Sequence, residues 1–151
     1  MGDVVRYFVG NTYWLSNFYP APIIFEGAVY GTVEHAFQAA KTLDPGERRT
    51  VREIDSGYGA RRVGRSSAVS LRADWERVKV GYMEALLRAK FIRHPSLGKL
   101  LRETGDKRLE EGNTWGDHFW GVCDGKGSNV LGLLLMEIRR DLIEGQKQNG
   151  K

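Results

Sequence analysis

A mixed α+β fold, mainly helical around a small sheet, follows from three features of the sequence. Short runs rich in Val, Ile and aromatic residues lie near the N-terminus between turn formers. Longer stretches with helical spacing fill the middle and the C-terminus, and a segment rich in glycine and aromatics between them has no steady period. At 151 residues the chain fits one domain able to bury its own core. No repeat or linker divides it, so residues 1–144 are expected to form a single domain and 145–151, GQKQNGK, a flexible tail.

Taken in order, VVRYFVG reads as a strand, and PIIF and AVY, flanking Glu26 and Gly27, as a hairpin. Thr32 can cap a helix from about Val33 to Leu43, which the cluster Asp44, Pro45, Gly46 stops. A second helical stretch spans Glu47 to Ile54. DSGYGARRVGRSS, punctuated by glycine and arginine, reads as irregular, with Arg62 and Arg65 in a glycine-rich turn. The longest helix follows, ADWERVKVGYMEALLRAKFIRH, capped by Asp74, with Trp75, Val78, Tyr82, Leu86 and Ala89 as its apolar stripe and Pro95 closing it. SLGKLLRET is a short helix ended by Gly105, where left-handed backbone suits glycine. EEGNTWGDHFWGVCDGKGSN is a long loop of the functional kind, and Asn129 to Glu144 is the last helix, apolar through Val130, Leu133, Leu134 and Ile138.

Composition narrows the function classes. With 41% hydrophobic and 28% charged residues the chain is neither disordered nor fibrous. The single cysteine, Cys123, excludes an internal disulfide framework, and His35, His94 and His118 are too far apart for a zinc motif. No metal and no cofactor is expected. The start MGDVVRYFVG lacks the features of a signal peptide and VLGLLLMEI is too short to span a bilayer, so a soluble cytoplasmic protein without membrane partners is expected. A formal charge of +4 leans weakly toward anionic partners.

The stretch TVEHAFQAAK carries the most chemistry. On a helix, Glu34, Gln38 and Lys41 line one face two turns long, opposite Val33, Ala36, Phe37, Ala40 and Leu43. Pattern alone makes such a polar row a solvated surface. Two details point elsewhere. Glu34 stands in the first turn, where the positive helix end favours its ionised form by roughly 0.3–1 kcal/mol. Lys41 stands where it can meet an electrophilic carbon held between the two groups, provided that desolvation or a cationic neighbour makes it nucleophilic.

Seven blocks, in order, resemble the signatures of the NADAR family, also called YbiA-like: SNF (16–18), TVEHAFQAAK (32–41), ARRVGR (60–65), ADWERVK (73–79), MEALLRAKFIRHP (83–95), DHFWG (117–121) and GSNVLGLLLMEIR (127–139). The resemblance runs from about residue 7 to 143. It implies a compact α+β catalytic domain, an N-glycosidase cleaving between ribose C1 and a nitrogen. The substrates it implies are phosphorylated ribosylamino-pyrimidine intermediates of riboflavin synthesis and ADP-ribose attached to guanine, in both of which C1 carries an exocyclic amine. Partners are then ADP-ribosyl or ribose-phosphate small molecules and ADP-ribosylated DNA or RNA; nothing in the residues sets an oligomeric state.

Carried over by position, Glu34 and Lys41 are the catalytic pair. In one mechanism Glu34 shuttles protons while the sugar opens and Lys41 takes C1 as a Schiff base; in the other Glu34 activates water against an oxocarbenium-like C1 and Lys41 only contacts the substrate. Gln38 lies between them as a substrate contact. Arg62 and Arg65 match a basic block suited to phosphate. Asp117, Trp120 and Gly121 match a DxxWG block in the long loop, with Asp117 assigned to ribose hydroxyls or water and Trp120 to a stacking wall. Asn17 and Phe18 offer an amide and a ring to a base. Trp75 recurs in the family pattern, although its helical spacing favours the core. Two other functions compete: a module that binds ADP-ribose or a nucleotide without turnover, and a nucleic-acid-binding domain using the basic stretch from Arg48 to Arg72.

Overall fold

The structure, a computed structural model, describes residues 3–149. Contacts divide the chain into two compact units, residues up to Ser16 together with His94 onward, and Asn17–Arg93.

The second unit carries the hairpin. Strands β1 (Ile23–Phe25) and β2 (Ala28–Tyr30) pair antiparallel, Ile24 opposite Val29. Glu26 and Gly27 both take positive φ, 46° and 87°, the primed turn whose twist matches a two-residue hairpin loop. Ile23, Phe25 and Tyr30 face inward and Ile24 and Val29 outward, as the two-residue period requires. Four helices follow: α1 (Val33–Ala40), α2 (Pro45–Arg52), α3 (Gly57–Gly64) and α4 (Trp75–Arg93). The cluster that stops α1 also starts α2, because the Asp44 carboxylate accepts the Glu47 amide and Pro45 occupies the first turn. α1 is central, packed against α2, α3, α4 and β2. Leu43, expected on its apolar side, lies past the end of the helix and is 67% exposed.

Helix α3 corrects the reading of 55–67 as irregular. Ser56 caps it by accepting the Gly59 amide at 3.1 Å. Glycine lowers helix propensity by about 1 kcal/mol relative to alanine, which hid the helix. Tertiary packing overrides that penalty. A Cβ at Gly57 would stand 2.7 Å from the Phe18 ring, and one at Gly64 would stand 2.8 Å from Gln38 Cβ. Arg62 is therefore a helical residue and Arg65 a helix C-cap, not members of a turn.

In the other unit, β3 (Val4–Arg6) runs parallel to β4 (Arg108–Glu110), with Val5 opposite Leu109. β4 is invisible to pattern because only Leu109 of its three residues is fully buried. The strands thus form two separate two-stranded sheets. A 3-10 helix spans Gly10–Leu15, α5 spans Pro95–Glu103, and α6 spans Val130–Asn149. Pro95 opens α5 at a first-turn position, where its missing N–H has no partner to lose. Leu97, Leu101, Leu109, Leu131, Leu134, Leu135 and Ile138 form this unit's core, while Leu133 is 52% exposed. Gly105 takes φ +64° after α5, as a glycine C-cap does. Residues 145–149, expected in a flexible tail, continue α6 as helix, and 150–151 lie outside the described residues.

Candidate active site

The site starts at Thr32, whose Oγ1 accepts the His35 amide at 3.0 Å and turns an extended chain into α1. His35 secures that cap. Its Nε2 donates to the Ile54 carbonyl at 2.8 Å, which leaves Nδ1 to accept the Thr32 hydroxyl at 2.7 Å. Glu34 follows in the first turn, and its backbone N–H donates to the Asn17 carbonyl at 3.1 Å.

All eight residues of α1 are buried, Glu34 and Gln38 to 7% and 3% exposure. The polar row is therefore not the solvated face that pattern alone favours. Periodicity shows that one side of a helix is polar; it does not show that a second helix covers that side. Here α3 covers it, with Gly64 against the Gln38 side chain. Gln38 Nε2 donates to Glu34 Oε1 at 2.7 Å, and Lys41 is the half-buried C-cap residue of the same helix.

Burial acts on both ends of the row. Desolvation pushes the Glu34 carboxyl above its ordinary 4.5, against the Gln38 hydrogen bond and the positive charges of Arg61, Lys41 and Arg65. Desolvation likewise pushes the Lys41 ammonium below its ordinary 10.5; Glu34 opposes this, and Arg65 and Arg61 reinforce it. An acid drawn upward and an amine drawn downward are closer in acidity than free side chains, which suits them to exchanging protons.

Tyr58, Arg61, Arg62 and Arg65 stand at i, i+3, i+4 and i+7, one face of α3, and line an open cleft of about 390 Å³. The Phe18 ring stacks on Tyr58 with centroids 4.3 Å apart and planes 8° from parallel. Tyr58 is 63% exposed. Sequence reasoning overlooked Tyr58 and Arg61, although their spacing to Arg62 and Arg65 was the available signal. It also overlooked Arg72. The Arg72 amide donates to the Lys41 carbonyl at 2.7 Å, while its guanidinium forks onto Asp74 at 2.6 and 3.1 Å and donates to the Tyr82 hydroxyl at 2.9 Å. Through its amide and its bond to Tyr82, Arg72 ties the end of α1 to α4.

Gln38 thus binds Glu34, the charges of Arg61 and Arg65 act on Glu34 and Lys41, and those two arginines line a cleft with Arg62 and Tyr58, on which Phe18 stacks. Asn17 is buried, with Nδ2 3.5 Å from Met83 Sδ and Oδ1 accepting no hydrogen bond. Trp75 lies in the core, 5.1 Å from Phe37 and 6.4 Å from Tyr82 between ring centroids. Asp117, Trp120 and Gly121 belong to the other unit. There Asp117 Oδ1 accepts the amides of Phe119 and Trp120 at 3.1 and 2.9 Å, shaping the loop, and Gly121 is buried where a Cβ would collide with Glu111. Among the described residues no group of three or more His, Cys, Asp or Glu side chains is placed to hold a metal ion, and no helix is long and apolar enough to cross a membrane.

The chain is similar to known proteins over most of its length. N-glycosidase YbiA of Escherichia coli K12 is 44% identical over 128 residues, 84% of this chain and 79% of that protein. A riboflavin biosynthesis protein of Vibrio vulnificus is 35% identical over 140 residues, 92% of this chain but 38% of that longer protein. The solution structure of E. coli YbiA superposes with a TM-score of 0.86 at 38% identity, covering 96% of this chain and 88% of that one. The NADAR domain matches residues 7–143, and the chain belongs to the NADAR domain family.

Proposed function

We propose that this protein is an N-glycosidase that hydrolyses the bond between ribose C1 and an exocyclic amine on a phosphorylated ribosyl substrate. Glu34 moves the protons, Lys41 attacks C1, and Arg62 and Arg65 hold phosphate. The observation that carries the reading is the buried row itself: a carboxyl and an amine on one helix face, with two arginines acting on both. Such a desolvated amine, with cationic neighbours, gives up its proton more readily than an exposed lysine and so is the better nucleophile. The relatives' names, N-glycosidase and riboflavin biosynthesis protein, support the bond type and a ribosylamino-pyrimidine phosphate as substrate.

In the covalent route the ribosylamine opens as its ring oxygen gains a proton and C1 becomes an imine to the base. Lys41 Nζ adds to C1, Glu34 delivers a proton to the departing amine, and the C1–N bond breaks to leave a lysine imine. Water then adds to C1 and releases the sugar aldehyde, which recloses, and Lys41 returns as the amine. The partial desolvation of the half-buried Lys41 favours this route over direct displacement by water.

ADP-ribosylated guanine is a second substrate reading, favoured by the Phe18–Tyr58 stack beside the arginines, which offers a base a platform. Mass-spectrometric assay against both substrates distinguishes them. Borohydride added during turnover is expected to leave the sugar's mass on Lys41; turnover without any such adduct contradicts the covalent route. Binding of either substrate without release of product would replace the enzyme by a binding module.

A further inference from the structure

Among the polar groups of α1, Gln38 is the one whose bonding is unbalanced. Its Nε2 donates to Glu34 Oε1 at 2.7 Å, but its Oε1 is buried and accepts nothing. The side chain is 3% exposed and packs against Gly64 of α3, where a Cβ would collide with that same oxygen. A buried acceptor without a donor destabilises the folded state, so packing alone would favour an apolar side chain of similar length here. The amide is therefore retained for its N–H, and the N–H has one recipient.

We infer that Gln38 is a positioning residue, which holds Oε1 of Glu34 and so presents Oε2 as the oxygen that exchanges protons with the substrate, while Gly64 keeps the amide in place. The inference rests on the proposed role of Glu34 in proton transfer. It moves Gln38 from a substrate contact to a group acting through Glu34. Its N–H also stabilises the ionised carboxylate, alongside the charged groups that act on Glu34, namely Lys41 from its own helix and Arg61 and Arg65 from α3.

The test is a set of pH–rate profiles with melting temperatures for Gln38→Met, Gly64→Ala and Glu34→Gln, using the full chain and a ribosylamine 5-phosphate. Gln38→Met keeps the length and removes the donor. It is expected to lower kcat at least about tenfold with KM nearly unchanged. It should also move the acid limb to higher pH and leave the alkaline limb in place. Gly64→Ala is expected to shift the acid limb in the same direction; if it does not fold, Gln38→Met decides. Wild-type kcat and an unmoved acid limb in Gln38→Met, with Glu34→Gln inactive, would overturn this inference and leave the proposed function standing. Full activity of Glu34→Gln would overturn both.

Discussion

Glu34 and Lys41 make their predictions through opposite shifts. The raised carboxyl sets an acid limb of the pH–rate profile above 4.5, and the lowered ammonium sets an alkaline limb below 10.5, so the bell is narrowed from both sides. Arg65 lowers both groups, so Arg65→Met is expected to move both limbs to higher pH, unlike a change at Gln38. Measuring kcat/KM from pH 4 to 11 checks this, and movement of one limb only contradicts it. The same burial has a stability consequence. Because Glu34 is raised in the folded state, the native protein binds more protons than the unfolded chain between 4.5 and the raised value. Stability therefore falls as pH rises through that window and stays lower above it. Glu34→Gln is expected to melt above wild type at pH 8 and to lose that advantage below 4.5, a trade of stability for activity at a buried reactive group. A melting temperature several degrees lower at pH 8 would contradict it.

At the scale of elements, α1 depends on its cap. Thr32→Ala removes the acceptor for the His35 amide and the hydroxyl that His35 Nδ1 accepts, and is expected to destabilise the protein by about 1–2 kcal/mol in urea unfolding. An unchanged midpoint would show that α1 is held by packing alone. Much of this element was legible in the sequence: Thr32 as cap, the stop at Asp44, and the hairpin at Glu26 and Gly27 each follow from local chemistry. What was not legible depends on neighbours distant in sequence. The polar row of α1 is buried because Gly64 lets α3 close over it, and α3 escaped notice because the glycines that allow this approach weaken helix signals. The Glu34–Lys41 pair was legible as a shared face and as a family resemblance. The altered acidities of the pair, and Tyr58, Arg61 and Arg72 around them, required the fold.

For the whole molecule, the NADAR domain match from residue 7 to 143 draws on both compact units. The net charge of +4 gives little basis for a general DNA-binding surface. In the basic stretch, Arg48 pairs with Glu26, Arg49 with Glu53 and Arg72 with Asp74, while Arg61, Arg62 and Arg65 line the cleft. If only the three cleft arginines engage phosphate, binding to unmodified DNA is expected to show a log–log salt slope of about −3; a much steeper slope with tight binding would favour the nucleic-acid reading. The central claim is that Glu34 and Lys41 break the C1–N bond, and single-turnover kinetics of Glu34→Gln and Lys41→Met on a ribosylamine 5-phosphate test it most directly. Each folded variant is expected to release base at least about a hundredfold more slowly than wild type. Release at the wild-type rate by either one would contradict the account.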